Sequence, residues 1–60
     1  MSDATWIKGI LPTFSGYYRV KYNGTVRIDF FSVVKKCWFN TGDLRHPEEV
    51  EWQPESFRPA

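Results

Sequence analysis

Apolar and polar residues alternate on both sides of an Asn-Gly pair in the segment YRVKYNGTVRIDF, residues 18–30. An Asn-Gly pair between two such runs is typical of a β-hairpin with a two-residue loop. That loop would place Tyr22 opposite Thr25 and every apolar residue opposite a polar one, although opposed residues share a face of the sheet. A three-residue loop would instead place Val20 opposite Val26. Because burial of one apolar face fixes strand register, the pattern favours the three-residue loop.

In this register Gly24 ends the loop at positive φ, where glycine has no steric penalty. The predicted core face of the hairpin then consists of apolar side chains from both strands. These residues are Tyr18, Val20, Val26, Ile28 and Phe30.

Two further strands are predicted downstream. Residues 35–40 follow a short turn near 32–34, and residues 48–54 alternate so that Val50 and Trp52 face the core, with Pro54 ending the strand. The N-terminal segment is too interrupted by Gly and Pro for a stable helix, so it should drape over the sheet as an extended arm. Its apolar residues are Trp6, Ile7, Ile10, Leu11 and Phe14. The sequence therefore predicts one all-β domain over residues 1–60, a small antiparallel meander of about four strands with extended N- and C-terminal arms.

Composition limits the chemistry of such a domain. A chain of 60 residues buries only about 60% of its unfolded surface, so three Trp, three Tyr and five Phe are expected to build most of the core. The single cysteine, Cys37, excludes an internal disulfide, and with the lone His46 it cannot complete a four-ligand zinc site. We expect no metal, no cofactor and no catalytic residues, because the carboxylates cluster in one segment without a phosphate loop or nucleophile–base pair.

Location is suggested by the same features. Asp3 lies where a signal peptide would be basic, and no apolar run approaches the ~18 residues needed to cross a bilayer. We therefore expect a soluble protein of the cytoplasm, without membrane association.

Charge is unevenly distributed around a net value of +1. Residues 1–47 hold seven Lys/Arg against three Asp, whereas residues 48–60 hold four Glu against one Arg. The predicted outward face of the hairpin combines Tyr17 with three cations, a composition that suits either phosphates or a protein partner. These cations are Arg19, Lys21 and Arg27. Alternatively, Glu49 and Glu51 on the last strand could pair with them internally.

The pattern of the third strand does not decide which of two neighbouring aromatic side chains faces the core. Strand alternation turns either Trp38 or Phe39 outward. An outward Trp38 would join Tyr17 and Phe31 in an exposed aromatic patch, and such patches on small domains mark partner surfaces. An outward Phe39 would place Trp38 in the core.

Several motifs in chain order resemble a family of small phage and prophage-associated proteins, the domain of unknown function 551. They are Trp-Ile followed by Leu-Pro (residues 6–12), the central YRVKYNGTVRIDFF, Trp38 and the closing EVEWQPESFRPA. The family's usual closing signature, Thr-His-Trp-Met-Pro-Leu-Pro, differs here at Glu51, Gln53 and Glu55. The resemblance implies a phage context and a core Trp38, and the family offers no established reaction.

Together these observations predict a non-enzymatic protein-binding module, a phage or prophage accessory protein that docks on a larger host or phage protein and modulates it. The binding residues proposed from sequence are Tyr17, Arg19, Lys21, Arg27, Phe31 and Trp38. The alternative is a small nucleic-acid-binding module that uses the basic and aromatic hairpin face. A second copy of the chain could also pair along an exposed strand edge.

Overall fold

The computed structural model describes residues 5–41 and 45–60 of the chain. It contains four antiparallel strands in one open sheet and a single 3-10 turn, so the predicted all-β class is confirmed. The strands are β1 Gly16–Tyr22, β2 Thr25–Ser32, β3 Cys37–Trp38 and β4 Glu51–Arg58, with the 3-10 turn at Pro47–Glu49.

The strand order is β3-β2-β1-β4. Only the first three strands form a meander. Strand β4 crosses back to pair with β1, which gives the 4-1-2-3 order of a Greek key. This connection lets residues 45–50 cross the inner face of the sheet, where Val50 is buried.

The hairpin has the two-residue loop, so the predicted three-residue register is wrong. Tyr22 pairs with Thr25, and Val20 pairs with Arg27 rather than Val26. Asn23 and Gly24 both have positive φ, at 55° and 79°, as a type I′ turn requires. This turn matches the twist of the strands, and its geometry prevails over the pairing of apolar residues.

The register decides which side chains of β2 reach the core. Tyr18 and Val20 are buried as predicted, but Val26 and Ile28 are exposed and Phe30 is half-buried on the other face. In their place, β2 turns Asp29 and Phe31 inward. The hydrophobic core is formed by Tyr18, Val20, Phe31, Trp38, Val50 and Trp52.

The core is covered by chain segments rather than by a second sheet. Ile7 forms an isolated antiparallel bridge with Trp52, and Ile7 and Leu11 pack on the core, so the predicted N-terminal arm does lie over the sheet. Ile10 and Phe14 remain exposed.

Three aromatic side chains of the inner face fix the covering segments by hydrogen bonds to backbone carbonyls. The Tyr18 hydroxyl donates to Phe14 at 2.7 Å, and Trp52 Nε1 donates to Ile10 at 2.7 Å. On the other side, Trp38 Nε1 donates to Pro47 at 3.2 Å. Each buried polar tip therefore has a partner, as buried Trp and Tyr require.

Strand β4 does not end at Pro54 as predicted. Its pairing with β1 shifts register between Arg19 and Tyr17, and Pro54 lies in this irregular stretch, where a missing N–H is tolerated. Ser56 Oγ replaces the lost ladder contact, because it accepts a hydrogen bond from the Arg19 N–H and donates one to the Gln53 carbonyl, both at 2.7 Å.

Strand β3 is shorter than predicted, with residues 33–36 forming the turn before it. Trp38 is 1% exposed and Phe39 is 55% exposed. The open alternative is thereby decided in favour of a core Trp38 and an outward Phe39. No helix among the described residues is long and apolar enough to cross a membrane.

Candidate docking surface

The face of the sheet opposite the core, called here the open face, carries apolar side chains. The register places Tyr17 opposite Phe30, and Val26 and Ile28 follow along β2 on the same face. Phe39 comes directly after β3 and donates its N–H to the Phe30 carbonyl at 3.0 Å. We call these five residues the open-face strip.

Side chains of the open-face strip are accessible to a partner. Tyr17 is 43% exposed, Val26 44%, and Ile28 61%. Single exposed apolar residues are ordinary on protein surfaces, but a contiguous group marks an interaction site more often than chance.

Three rings of the strip form a row across the sheet. Tyr17 and Phe30 meet edge to face with centroids 5.3 Å apart, and Phe30 and Phe39 do the same at 5.0 Å. These rings and Ile28 line an open depression of about 460 Å³. The three rings therefore support one another, so the row keeps its shape without a bound partner.

The position of Phe39 depends on Asp29, whose side chain is buried at 1% exposure. Its carboxylate accepts hydrogen bonds from the Thr41 N–H at 2.6 Å and from the Asn40 N–H at 3.0 Å. It also accepts one from the Asn40 side-chain amide at 3.2 Å. These bonds hold the segment that follows Phe39 against the edge of the sheet.

Cationic side chains border the strip on the β1 and β4 side. Arg19 lies opposite Ile28 and Gln53, and Arg58 lies opposite Tyr17, which puts both guanidinium groups on the open face. On the far side, the Lys35 ammonium lies 5.9 Å from the centroid of the Phe39 ring.

Lys21 is engaged within the protein. Its Nζ lies 4.0 Å from a carboxylate oxygen of Glu51 and 4.9 Å from the centroid of the Trp6 ring. The predicted internal pairing with the last strand therefore exists for Lys21 and Glu51. Over residues 5–41 and 45–60, Arg19 forms no salt bridge.

The structure brings together some of the residues predicted from sequence and separates the others. Tyr17, Arg19 and Lys21 share the open face. Arg27 lies on the opposite face, because it pairs with Val20 in the two-residue register. Phe31 is 1% exposed and belongs to the core, as does Trp38, so neither can take part in an exposed patch.

The predicted surface lacked Val26, Ile28, Phe30, Phe39 and Arg58. The Asn-Gly pair held the signal for the three β2 residues, since the register of a type I′ loop turns all three to the open face. Arg58 had no comparable signal, because the bulge that aligns it with Tyr17 depends on contacts formed only after folding.

Side chains that could bind a metal ion are not grouped in residues 5–41 and 45–60. No group of three or more His, Cys, Asp or Glu residues there could hold a metal ion. Cys37 is buried, and the exposed His46 lies 3.8 Å from Glu48 on the surface. The open face offers apolar side chains and arginines, which is the chemistry of a contact surface.

Comparisons with family models, with curated proteins and with solved structures gave no match.

Proposed function

We propose that this chain is a non-enzymatic protein-binding module that docks through the open-face strip onto a larger protein. The resemblance to small phage-associated proteins suggests a phage or prophage accessory protein acting in the host cytoplasm. In that setting a small domain without a deep cleft can still act, because covering the surface of a partner modulates it.

The observation that carries the proposal is the exposure of Val26 and Ile28. Full burial of one such side chain is worth about 1.5 to 3 kcal/mol, and this register leaves Val26 44% and Ile28 61% exposed, so part of that stabilisation is lost at both positions. Apolar side chains left outside the core are expected where a protein performs its function. A partner that covers the strip would recover the apolar burial.

A nucleic-acid-binding module is the second candidate. The aromatic row beside Arg19 supports it, since exposed rings next to cations can stack bases and contact phosphates. Two observations weaken this candidate. Arg27 lies on the other face of the sheet, and Lys21 is paired with Glu51. Exposed Val26 and Ile28 add aliphatic surface, which suits a protein better than a stacked base.

Site-specific photo-crosslinking in the producing cell tests the proposal. Phe39 is replaced by p-benzoylphenylalanine, and the matched control carries the same residue at Val34, which is 90% exposed but lies in the turn at residues 33–36, outside the strip. We expect a protease-sensitive adduct from position 39, strongly reduced by Ile28→Ser in the same chain, and little adduct from position 34. Equal adducts from both positions, or none, would contradict the proposal, and nuclease-sensitive adducts would favour the second candidate.

A further inference from the structure

The depression in the aromatic row suits a large apolar side chain. Its apolar wall is formed by Tyr17, Ile28, Phe30 and Phe39, with edge-to-face contacts between neighbouring rings, and Asp29, Asn40 and Ala60 complete the lining. Buried aromatic or aliphatic anchors in such pockets supply most of the binding energy in protein interfaces.

The exposed charged side chains that border this depression are cations, whereas the buried Asp29 carboxylate lies in its wall. Arg19 and Arg58 border it on one side and Lys35 on the other. Within the described part of the chain neither arginine forms a salt bridge, and Glu51, the carboxylate of β4 on this face, is paired with Lys21. The Asp29 carboxylate beside the depression is already occupied by the N–H groups of residues 40 and 41.

We infer that the open-face strip binds an acidic peptide segment of another protein, with a large apolar side chain seated among Tyr17, Phe30 and Phe39 and flanking carboxylates on Arg19 and Arg58. This inference rests on the proposed function and specifies the partner. Guanidinium groups suit this task, since their planar fork can bind a carboxylate through two hydrogen bonds.

Two other occupants fit the charges less well. A second copy would bring the same unpaired arginines to the interface, and like charges brought together oppose association. A single-stranded nucleic acid would find the phosphate contacts but would leave Val26 and Ile28 against sugars and phosphates, without apolar cover.

The test is an NMR titration of the ¹⁵N-labelled chain with the peptide EDEFEDE. Two control peptides are EDEAEDE, which lacks the apolar anchor, and KRKFKRK, which reverses the charges. We expect EDEFEDE to shift the amide signals of Ile28, Phe30 and Phe39, and each control peptide to bind at least about tenfold more weakly, equivalent to about 1.4 kcal/mol.

Two charge-reversal variants distinguish binding at the open face from a general effect of net charge. Arg19→Glu should weaken binding of EDEFEDE about fivefold or more, whereas Arg27→Glu, the same change on the opposite face, should leave it unchanged. Both side chains are exposed, so both variants should fold, and their amide spectra verify this.

Several results would overturn the inference. Tighter binding of KRKFKRK, equal loss of affinity in both arginine variants, or shifts confined to other residues would each do so. Tighter binding of an oligothymidine would assign the face to nucleic acid, and shifts on dilution of the peptide-free protein would assign it to a second copy. A further outcome separates the two proposals. If no peptide binds but position 39 still yields a protein adduct that Ile28→Ser reduces, the inference of an acidic peptide partner is wrong and the proposed docking function stands.

Discussion

Replacement of Asp29 by asparagine should be among the most destabilising polar changes in this chain. The substitution keeps the shape of the side chain and removes one acceptor oxygen and the charge. Four hydrogen bonds depend on that carboxylate: two from backbone N–H groups of residues 40 and 41, one from the Asn40 amide at 3.2 Å, and one from the Phe30 N–H at 2.7 Å. Asparagine would turn an NH₂ group toward these donors.

The magnitude follows from the bonds that are lost. A hydrogen bond to a charged group contributes about 1.5 to 3 kcal/mol, and a buried donor left without a partner costs about 1 to 3 kcal/mol. Loss of at least one such bond with one orphaned donor predicts about 3 kcal/mol for Asp29→Asn. Domains gain about 0.05 to 0.15 kcal/mol per residue on folding, so this change removes a large share of the stability of a 60-residue chain.

Thermal unfolding followed by tryptophan fluorescence measures the effect, with the exposed Glu55→Gln as the matched loss of a carboxylate. At 4 to 8 °C per kcal/mol for a domain of this size, Tm should fall by about 12 °C or more for Asp29→Asn and change little for the control. Hydrogen exchange should show that the Asn40 and Thr41 amides lose protection. Equal Tm values for the two variants, or retained protection at both amides, would refute the reasoning.

Three further predictions concern the hairpin, the core and alkaline pH. Gly24→Val should destabilise the protein by about 1 kcal/mol or more in urea unfolding, since φ is 79° at this position and a β-branched side chain is strained there; Thr25→Val, in the adjacent strand, is the control, and an unchanged midpoint would argue against the type I′ loop. Trp52→Ala should cost about 3 to 5 kcal/mol, because the side chain is 8% exposed, packs on Tyr18 and donates to Ile10; a folded variant of wild-type stability would show that the closing segment is not structural. Burial raises the pKa of Tyr18 above its ordinary value, so the unfolded chain loses this proton first, and the stability that Tyr18 contributes is complete below about pH 10 and declines as pH rises from there toward the folded-state pKa. Tyr18→Phe should flatten that alkaline decline in denaturant titrations, and an unchanged decline in this variant would contradict the assignment to Tyr18.

Local signals in the sequence were sufficient for the class of fold and for the position of its first hairpin. Alternation placed the first two strands, and the Asn-Gly pair placed the turn between them. The burial of Val50 and Trp52 followed from their spacing, and the structure bears it out. Each of these features depends on residues that are close together in the chain.

Features set by distant parts of the chain could not be predicted in the same way. Asp29 acquires its role from N–H groups 11 and 12 residues away, and nothing in its immediate neighbours distinguishes it from a solvated aspartate. The return of β4 to β1 depends on how residues 45–50 cross the core. Pro54 gave a misleading signal. A proline lacks the N–H that a regular ladder needs, but at a bulge no ladder hydrogen bond is required from that position, so the strand can continue through it.

The error in hairpin register connects the fold to the candidate surface. A shift of one residue in the pairing turns every side chain of one strand to the opposite face. The two-residue loop that exposes Val26 and Ile28 is therefore the same choice that turns Asp29 inward, where it holds the chain beyond Phe39. With the three-residue loop, Asp29 would face water and the aliphatic residues would be buried, so the strip and the contact that positions its last ring would be lost together. The open-face strip and the buried carboxylate are thus two consequences of one turn.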